Sequence, residues 1–300
     1  RRGYTSFLTC SGCGDVLKCP HCDITLTYHK TSGMLRCHYC GYAKKKTVIC
    51  NSCGSDIKEY GMGTERCVDE LQTLFPSSRI LRMDIDTTTK KDSHEKMIES
   101  FSNHDYDILI GTQMISKGLN FPLVTLVGVI NADATLNIPD FRSGERTFAL
   151  LSQVSGRAGR NELPGEVILQ TYNPDNFTLK CVKENDYMKF YKYEMSNRHK
   201  LDYPPYYFLT SIKTSSKDYD LASKEIIKVR NYLEKNLNKD TIILGPTTAT
   251  MFKINNIYRF QIILKYKKDP NIMKTLKELD EIYMLNNKVN IEIDNNPLQV

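Results

Sequence analysis

Eight cysteines within the first 53 residues constrain the fold of this chain more than any other feature. They form four Cys-x-x-Cys pairs: Cys10/Cys13, Cys19/Cys22, Cys37/Cys40 and Cys50/Cys53. Zinc takes four soft ligands at the corners of a tetrahedron, and two such pairs supply them. Eight thiolates therefore predict two structural zinc ions. Because no apolar export segment precedes the cysteines, disulfides of a secreted domain are disfavoured and a reducing compartment is expected.

Two other uses of paired cysteines are weighed against zinc. Iron–sulfur proteins have characteristic cysteine spacings, and neither the bacterial nor the plant ferredoxin spacing occurs here. Redox or chaperone proteins of the DnaJ type carry Gly-x-Gly after each pair, a pattern that only Gly12 and Gly14 approach. His21 and His38 each lie between two cysteines of a complete ligand set. We therefore interpret both histidines as surface residues and not as ligands.

The chain between the second and third cysteine pairs indicates how the pairs combine. Residues 24–29 and 34–38 predict a hairpin with a turn at 30–33, which brings these two pairs together as in a zinc ribbon. The first and fourth pairs then share the other ion, in a nested arrangement. Sequential and cross-braced pairing are the alternatives. A following run, Lys44 to Lys46, is either a solvated loop or a phosphate contact.

The composition of the chain is that of a globular protein of about two domains, with 300 residues of which 40% are hydrophobic and 25% charged. No run approaches the roughly eighteen apolar residues of a membrane span, which excludes a membrane protein. Of the net charge of +6, residues 1–60 contribute +5, from nine Lys and Arg against four Asp and Glu. Because the chain starts Arg1-Arg2-Gly3, we expect a piece of a longer cytosolic protein.

Residues 61–172 alternate between helical periodicity and short β-branched runs, which predicts a parallel sheet covered by helices. Apolar spacing predicts helices over 65–75, about 90–102 and about 144–156. Strands are predicted over 79–83, 106–111, 124–131 and 166–171. Thr112, Gln113 and Lys117 follow the second strand at its carboxyl end, where α/β sheets bind ligands. This edge is therefore a candidate binding site.

A second domain is predicted after Pro204-Pro205, which follows a helix ending near Leu201. Its elements have the order strand, helix, strand, strand, helix, strand, which is typical of a ferredoxin-like sandwich. The strands are expected at 206–214, 241–244, 257–265 and 289–293, and the helices at 217–237 and 271–286. In the third strand, apolar residues alternate with mainly polar ones, which predicts one buried face and one mainly polar face.

Two strings of the α/β region resemble motifs V and VI of superfamily-two helicases: DILIGTQMISKGLNFPLVTLVGVINAD and PDFRSGERTFALLSQVSGRAGR. Together with RRGY at the start, the eight-cysteine insertion, GMGTE at 61–65 and RMDIDTT at 82–88, they have the order of the PriA family of replication-restart helicases. The resemblance covers essentially the whole chain. It implies an α/β fold with a RecA-like second helicase lobe over residues 1–201, a two-zinc insertion at about 8–56, and a C-terminal domain over 202–300.

The resemblance also implies how the lobe acts on ATP. Gln153, Arg157 and Arg160 match the glutamine and the arginine fingers of motif VI. Cations at these positions meet the charge that develops on the γ-phosphate of ATP. The alternative is a pair of surface arginines at a helix C-terminus, where Gly156 and Gly159 end the helix and a cation suits its dipole.

Motif V implies contacts to DNA and nucleotide. By resemblance, Thr112 holds a DNA phosphate, with Gln113 and Lys117 nearby, and Gly118 lets the backbone approach the nucleotide. The family usually has Asp where this chain has Asn120, which weakens the nucleotide contact expected there to that of an amide.

The 300 residues contain no phosphate-loop motif G-x-x-x-x-G-K-[ST]. The Asp69-Glu70 pair lies in a predicted helix and does not follow a buried strand, so it is not the acidic magnesium site of a helicase. We therefore expect these residues to hydrolyse no ATP alone. The first helicase lobe, which binds ATP and magnesium in the full-length protein, is expected before Arg1.

The sequence thus predicts the C-terminal part of an ATP-dependent DNA helicase of 3′ to 5′ polarity, the polarity coming from the resemblance alone. Expected partners are branched or forked DNA, single-strand-binding protein, and primosome and helicase-loader proteins. The expected location is the cytoplasm, at the nucleoid. Two alternatives are a non-enzymatic zinc-ribbon scaffold that recruits primosome partners, and an RNA helicase, since motifs V and VI are widely shared.

Overall fold

The computed structural model describes residues 7–84, 87–88, 93–116, 121–156, 164–284, 286 and 288–298. They form two compact units, which divide between Leu123 and Val124. The predicted domain boundary at residue 201 lies within the second unit and stays a prediction. Within the described ranges, no helix has both the length and the hydropathy needed to cross a membrane.

The first unit starts with short strands around the cysteines: β1 (Phe7–Cys10), β2 (Thr27–His29), β3 (Met34–Arg36), β4 (Ala43–Lys45) and β5 (Ile57–Tyr60). An α/β segment follows, with α1 (Thr64–Leu74), β6 (Ile80–Met83), α2 (Ser93–Ser102), β7 (Ile108–Gly111) and a short 3-10 helix (Gln113–Ser116). The helices and strands predicted for this segment are present, with ends that differ by a few residues.

The strands around the cysteines form two small antiparallel sheets. β2, β3 and β4 form one of them, and the predicted hairpin between β2 and β3 is confirmed. In the turn of this hairpin Gly33 has a φ of +64°, a backbone conformation that residues other than glycine rarely adopt. β1 pairs with β5, which the sequence analysis did not predict. Leu8, Leu26 and Leu35, which lie in these strands or directly beside them, are fully buried.

β6 and β7 are parallel neighbours, with Ile80 opposite Ile108 and Met83 opposite Gly111. A Cβ atom at Gly111 would lie only 2.5 Å from the carbonyl oxygen of Met83, so the close approach of the two strands requires glycine there. Both strands end at the same edge. The segments that follow them, starting at Asp84 and Thr112, therefore lie side by side.

The second unit begins with β8 (Leu126–Val129), α3 (Asp133–Leu136), α4 (Ser143–Ser155), β9 (Glu166–Leu169), α5 (Phe177–Glu184) and α6 (Tyr187–Lys200). β8 and β9 are parallel, and the Asp133 carboxylate accepts hydrogen bonds from Thr171 Oγ1 and the Tyr172 N–H where they end. The helices share a small buried core that includes Phe148, Leu151, Leu179, Val182 and Phe190. One helix was predicted between the last of these strands and residue 201, and the structure has two, α5 and α6.

The rest of the second unit comprises β10 (Phe208–Ser216), α7 (Tyr219–Asn236), β11 (Ile242–Ile254), β12 (Ile257–Tyr266), α8 (Ile272–Met284) and β13 (Asn290–Asn295). The predicted order of elements is found. The strands form an antiparallel sheet in the order β11-β12-β10-β13. Side chains of α7, α8 and the sheet share one core, which includes Ile212, Ile226, Leu233, Ile262 and Leu276.

Two strands of this sheet differ from their predictions. β11 continues ten residues beyond the predicted end, because it pairs with β12 again after a register shift at Leu244 and after another at Thr248. Gly245, beside the first shift, has a φ of +97°. In β12 the predicted polar face is largely buried, and the chain near Leu201 and Tyr203 covers its end at Lys265. The Lys265 ammonium donates to the Leu201 carbonyl at 2.9 Å and lies 3.6 Å from the centre of the Tyr203 ring. Burial lowers the pKa of Lys265.

A buried carboxylate fixes the loop before α8. Asp269 accepts hydrogen bonds from Thr241 Oγ1 at 2.6 Å and from the backbone N–H groups of Asn238 and Asn271, both at 2.9 Å. Burial opposes ionisation of this carboxyl, but the three donors favour it by more, and the pKa of Asp269 is lowered.

We expect Asp269→Asn to lower the free energy of unfolding by about 1–3 kcal/mol, because it removes the charge from three buried hydrogen bonds. Because the pKa of Asp269 is lower in the folded protein, its ionised carboxylate stabilises the fold at pH values above its unfolded pKa of about 3.9. This contribution is lost as the pH falls from there through the folded-state pKa. Denaturant unfolding at pH 7 and at acid pH measures both effects. The exposed Asp280→Asn on α8 is the control, and equal losses in the two variants would contradict this role of Asp269.

Candidate functional site

The eight paired cysteines form two clusters in the first unit. In each cluster the four sulfur atoms lie within 4.8 Å of one another; one cluster comprises Cys10, Cys13, Cys50 and Cys53, and the other Cys19, Cys22, Cys37 and Cys40. The first and fourth pairs thus share one site, and the second and third pairs share the other. This is the nested arrangement predicted from the hairpin, and neither the sequential nor the cross-braced alternative is found.

Strand pairing explains why the pairs combine in this way. The β2–β3 hairpin carries the second pair just before its first strand and the third pair just after its second. The pairing of β1 with β5 brings the outer site together. Cys10, at the end of β1, lies opposite Ile57, at the start of β5 and close to the fourth cysteine pair. Gly12 fits tightly against the fourth pair, since a Cβ atom there would lie 2.3 Å from Ser55 Oγ.

The distances between sulfurs fit a tetrahedral zinc ion. Sγ of Cys10 is 3.3 Å from Sγ of Cys53, and the Cys13–Cys50 distance is 3.7 Å. In the inner cluster, the sulfurs of Cys19 and Cys40 are 3.6 Å apart. Zinc–sulfur bonds of about 2.3 Å at tetrahedral angles place sulfurs about 3.8 Å apart. Each cluster therefore accommodates one zinc ion with little movement.

Each Cys-x-x-Cys segment forms a tight turn or bend, here called a knuckle. Backbone N–H groups of the knuckles donate to the sulfurs and favour their thiolate form. The N–H groups of Gly12, His21 and Ser52 donate to Cys10, Cys19 and Cys50, at 3.3 to 3.4 Å. Such bonds stabilise the charged form of the ligand that zinc requires.

The thiols of the outer cluster have unequal pKa values. The hydroxyl and the N–H of Ser55 lower the pKa of Cys53 to about 6. At Cys13 the N–H of Asp15 lowers the pKa, but the sulfurs of Cys10 and Cys53 raise it by more, to about 12. Four thiolates at this separation repel one another, so a bound cation is needed to keep all four charged.

The histidines and lysines beside the clusters have other contacts. The His21 ring meets the Tyr42 ring edge-on, with centroids 5.3 Å apart, and His38 is exposed. Neither belongs to a four-ligand group among the described residues. Lys46 is paired with Glu59 and lies over the Tyr28 ring. Lys45 is exposed, so the lysine run is only partly a solvated segment.

The structure places Thr112 and Gln113 of motif V, and Gln153 of motif VI. Thr112 directly follows β7 at the carboxyl edge of the parallel strands, and the side chain of Gln113 is exposed at the start of the 3-10 helix. Gln153 is exposed near the end of α4. The other predicted site residues lie outside the described residues: Lys117, Gly118, Asn120, Arg157 and Arg160.

A group of buried polar residues that no sequence pattern predicted lies near the inner cluster. His29, Glu65 and Asp84 are almost completely buried where the zinc hairpin meets α1 and the end of β6. The signal was present in the motif strings, because GMGTE ends in Glu65 and RMDIDTT contains Asp84. The sequence does not show which residues these carboxylates contact, so it assigned them no role.

Comparison with known proteins gives three matches in order along the chain. Residues 19–45 match the PriA DNA helicase Cys-rich region domain, residues 54–162 the helicase conserved C-terminal domain, and residues 199–298 the primosomal protein N C-terminal domain.

Curated relatives match over nearly the whole chain. Replication restart protein PriA of Bacillus subtilis is 47% identical over 99% of this chain and 37% of its own length. Proteins of the same name from Synechocystis and Haemophilus influenzae are 40% and 37% identical, and the chain covers 36% and 41% of their lengths. The chain thus spans well under half of these relatives. The motif order, the nested cysteine clusters and these matches show that the chain belongs to the PriA family.

Proposed function

We propose that the full-length protein is an ATP-dependent 3′ to 5′ DNA helicase that binds stalled or branched replication forks and initiates primosome assembly and replication restart. The observation that carries the proposal is the succession of a zinc-binding region, a helicase C-terminal region and a primosomal C-terminal region in one chain. The name of the relatives, replication restart protein PriA, agrees with it. In this proposal the protein acts in the cytoplasm at the nucleoid.

The described elements support a RecA-like lobe followed by a ferredoxin-like domain. The first unit contains the parallel pair β6–β7 and the second contains the parallel pair β8–β9, and parallel strands are typical of RecA-like lobes. The strand order β11-β12-β10-β13 and the strand–helix–strand–strand–helix–strand succession suit a ferredoxin-like sandwich. We propose residues 1–201 and 202–300 as these two domains, and the start of the C-terminal match at residue 199 supports that boundary.

In the proposed motor, ATP and magnesium bind against a first helicase lobe, and this chain contributes cations to the γ-phosphate. Arg157 and Arg160 are proposed as the fingers because they match motif VI, and they follow α4, which ends at Ser155. Gln153 is exposed near that end of the helix and is proposed to contact the same nucleotide. Arginine suits this role because its fixed fork of N–H donors matches phosphate oxygens.

DNA is proposed to bind along the carboxyl edge of the lobe and on the zinc-binding region. Thr112 and Gln113 offer a hydroxyl and an amide to a phosphate at that edge, with Lys117 as the accompanying cation and Gly118 and Asn120 on the nucleotide side. The excess charge of residues 1–60 suits phosphate contacts by the zinc-binding region. Single-strand-binding protein and primosome or loader proteins complete the proposed set of partners.

ATP hydrolysis by the full-length protein, measured with forked DNA and with RNA of the same form, tests the proposal. We expect forked DNA to stimulate turnover and RNA to leave it near the basal rate. Stimulation by RNA favours the RNA-helicase alternative. Fork binding without any stimulated hydrolysis favours the scaffold alternative, in which the zinc-binding region and the C-terminal domain only recruit partners.

We expect the 300-residue chain alone to hydrolyse no ATP yet to bind DNA, because it has no phosphate-loop motif but has a basic first segment. Binding should weaken steeply as salt rises, since each neutralised phosphate releases a counterion. Steady-state hydrolysis and salt titrations of DNA binding measure the two properties. DNA-stimulated hydrolysis by the chain alone would contradict the assignment of the phosphate loop to another lobe, and salt-insensitive binding would contradict phosphate contacts.

A further inference from the structure

A buried group of polar side chains lies where the zinc-binding hairpin meets the α/β segment of the first unit. It comprises His29 from the end of β2, Thr64 and Glu65 from the start of α1, Arg82 from β6, and Asp84 just after β6. We name these five residues the junction network. Glu65 is 6% exposed and Asp84 is fully buried, although carboxylates are rarely buried unless they are paired.

Glu65 holds the hairpin through both of its carboxylate oxygens. Oε1 lies 3.5 Å from Nδ1 of the buried His29 ring, and Oε2 accepts a hydrogen bond of 2.9 Å from the backbone N–H of Lys30. On its other side, Nε2 of His29 is 3.2 Å from Nε2 of His38, which lies between the inner-cluster ligands Cys37 and Cys40. The contact therefore runs from the helix through the hairpin to the third knuckle.

The same carboxylate is connected to the sheet edge. Arg82 Nη1 is 3.3 Å from Glu65 Oε1, and Arg82 Nε is 3.4 Å from Asp84 Oδ2. Asp84 Oδ2 also accepts from Thr64 Oγ1 at 2.6 Å, and Oδ1 accepts from the Thr87 N–H at 3.2 Å. Asp84 follows Met83, which lies opposite Gly111 of β7. The junction network thus reaches the edge at which Thr112 begins.

Stability alone does not account for this arrangement. Removing two charges from water costs several kcal/mol per ion, and a well-packed apolar contact stabilises as much or more. In some proteins, buried and directional polar contacts are retained because they fix a single relative orientation of the parts that they join. The same hairpin and helix also share an exposed ion pair between Lys30 and Asp69, and exposed pairs of this kind contribute little.

We propose that Glu65 is a positioning residue that fixes the orientation of the zinc-binding hairpin on the helicase lobe and links it to the edge of β6 and β7. Its consequence for unwinding rests on the function proposed above. If the hairpin contacts DNA, its orientation decides whether movement of the lobe separates strands. Loss of Glu65 should therefore uncouple ATP hydrolysis from strand separation without removing zinc.

The structural part of the proposal is tested by hydrogen exchange in the full-length protein. In Glu65→Gln the Lys30 amide should exchange about tenfold faster or more, as expected for the loss of a hydrogen bond to a charged acceptor. The Cys37 amide, which donates to the Tyr42 carbonyl within the knuckle, should keep its exchange rate. The matched control Asp69→Asn removes the exposed pair between the same two elements and should leave both amides unchanged.

The functional part compares strand separation with ATP hydrolysis in the same variants. Glu65→Gln should keep two zinc ions and a DNA-stimulated hydrolysis rate within about twofold of the original, while base pairs separated per ATP fall roughly tenfold, as misplaced functional groups produce. His29→Gln removes the hairpin side of the contact and should reproduce this loss. Asp69→Asn should retain normal coupling. If Glu65→Gln does not fold, His29→Gln alone decides.

The proposal is overturned if Glu65→Gln exchanges and unwinds as the original does, or if Asp69→Asn shows the same losses. It is also overturned if coupling falls only together with zinc content, or if His29→Gln couples normally while Glu65→Gln does not. A full-length protein that separates no strands before any substitution contradicts the proposed function instead. In that case the exchange rates of the Lys30 amide alone decide whether Glu65 positions the hairpin.

Discussion

Cys22→Ser is expected to remove one of the two zinc ions, the one that Cys22 shares with Cys19, Cys37 and Cys40. Structural zinc sites close with four ligands, and binding contributes roughly 10–16 kcal/mol in small zinc domains. Loss of the inner ion should loosen the chain on both sides of the β2–β3 hairpin, because this ion joins the second and third cysteine pairs. Elemental analysis should give about one zinc ion per chain for Cys22→Ser and about two for the original.

Double substitutions distinguish nested pairing from its alternatives. Cys22→Ser with Cys37→Ser should lose one ion, because both ligands belong to the same cluster, whereas Cys22→Ser with Cys50→Ser should lose both. Sequential pairing predicts that the first combination loses two ions. Cross-braced pairing predicts two lost in the first combination and one in the second. The buried Cys67 lies in neither cluster, so Cys67→Ala is the control and should keep both ions.

Alanine at Arg160 in the full-length protein should lower DNA-stimulated ATP hydrolysis about a thousandfold, equivalent to about 4 kcal/mol of transition-state stabilisation. Unwinding should be lost with it. Melting temperature, zinc content and fork binding should stay nearly unchanged, because a cation at a helix C-terminus contributes only about 0.3–1 kcal/mol to folding. Lysine at the same position should restore little activity, since it keeps the charge but loses the fork of donors.

Arg66→Ala is the matched control for this substitution. Arg66 lies on α1 of the same proposed lobe and forms an exposed ion pair with Glu70, so its removal should leave hydrolysis close to normal. Near-normal hydrolysis by both Arg157→Ala and Arg160→Ala would contradict the motor function proposed for this lobe. Loss of hydrolysis only through unfolding would contradict it equally, because a finger acts on the rate and not on the fold.

Cysteine spacing and apolar periodicity, which act over short stretches of chain, predicted the cysteine clusters and most of the helices. Cys-x-x-Cys spacing brings the two sulfurs of each pair together, and the predicted hairpin between Cys22 and Cys37 favoured nested pairing over the sequential and cross-braced alternatives, which the structure confirms. The helices α1, α4, α7 and α8 were found within a few residues of their predicted ends, because apolar periodicity and flanking breakers act over a single element.

Features that depend on distant residues were not predicted. The pairing of β1 with β5 joins segments that lie about fifty residues apart, and no periodicity specifies it. The alternation in β12 indicated a polar face, but the chain near Leu201 and Tyr203 covers Lys265 on that face. Glu65 belongs to the GMGTE string, but its contact with His29 becomes visible only when the hairpin packs on α1.

Strand separation on a model replication fork by the full-length protein tests the central claim most directly. The fork should carry a labelled strand whose release is followed with ATP, with a non-hydrolysable ATP analogue and without nucleotide. We predict release with ATP only, on substrates that allow 3′ to 5′ movement. Fork binding of equal strength in all three conditions, with no strand released, would contradict the assignment of this chain to a DNA-unwinding motor.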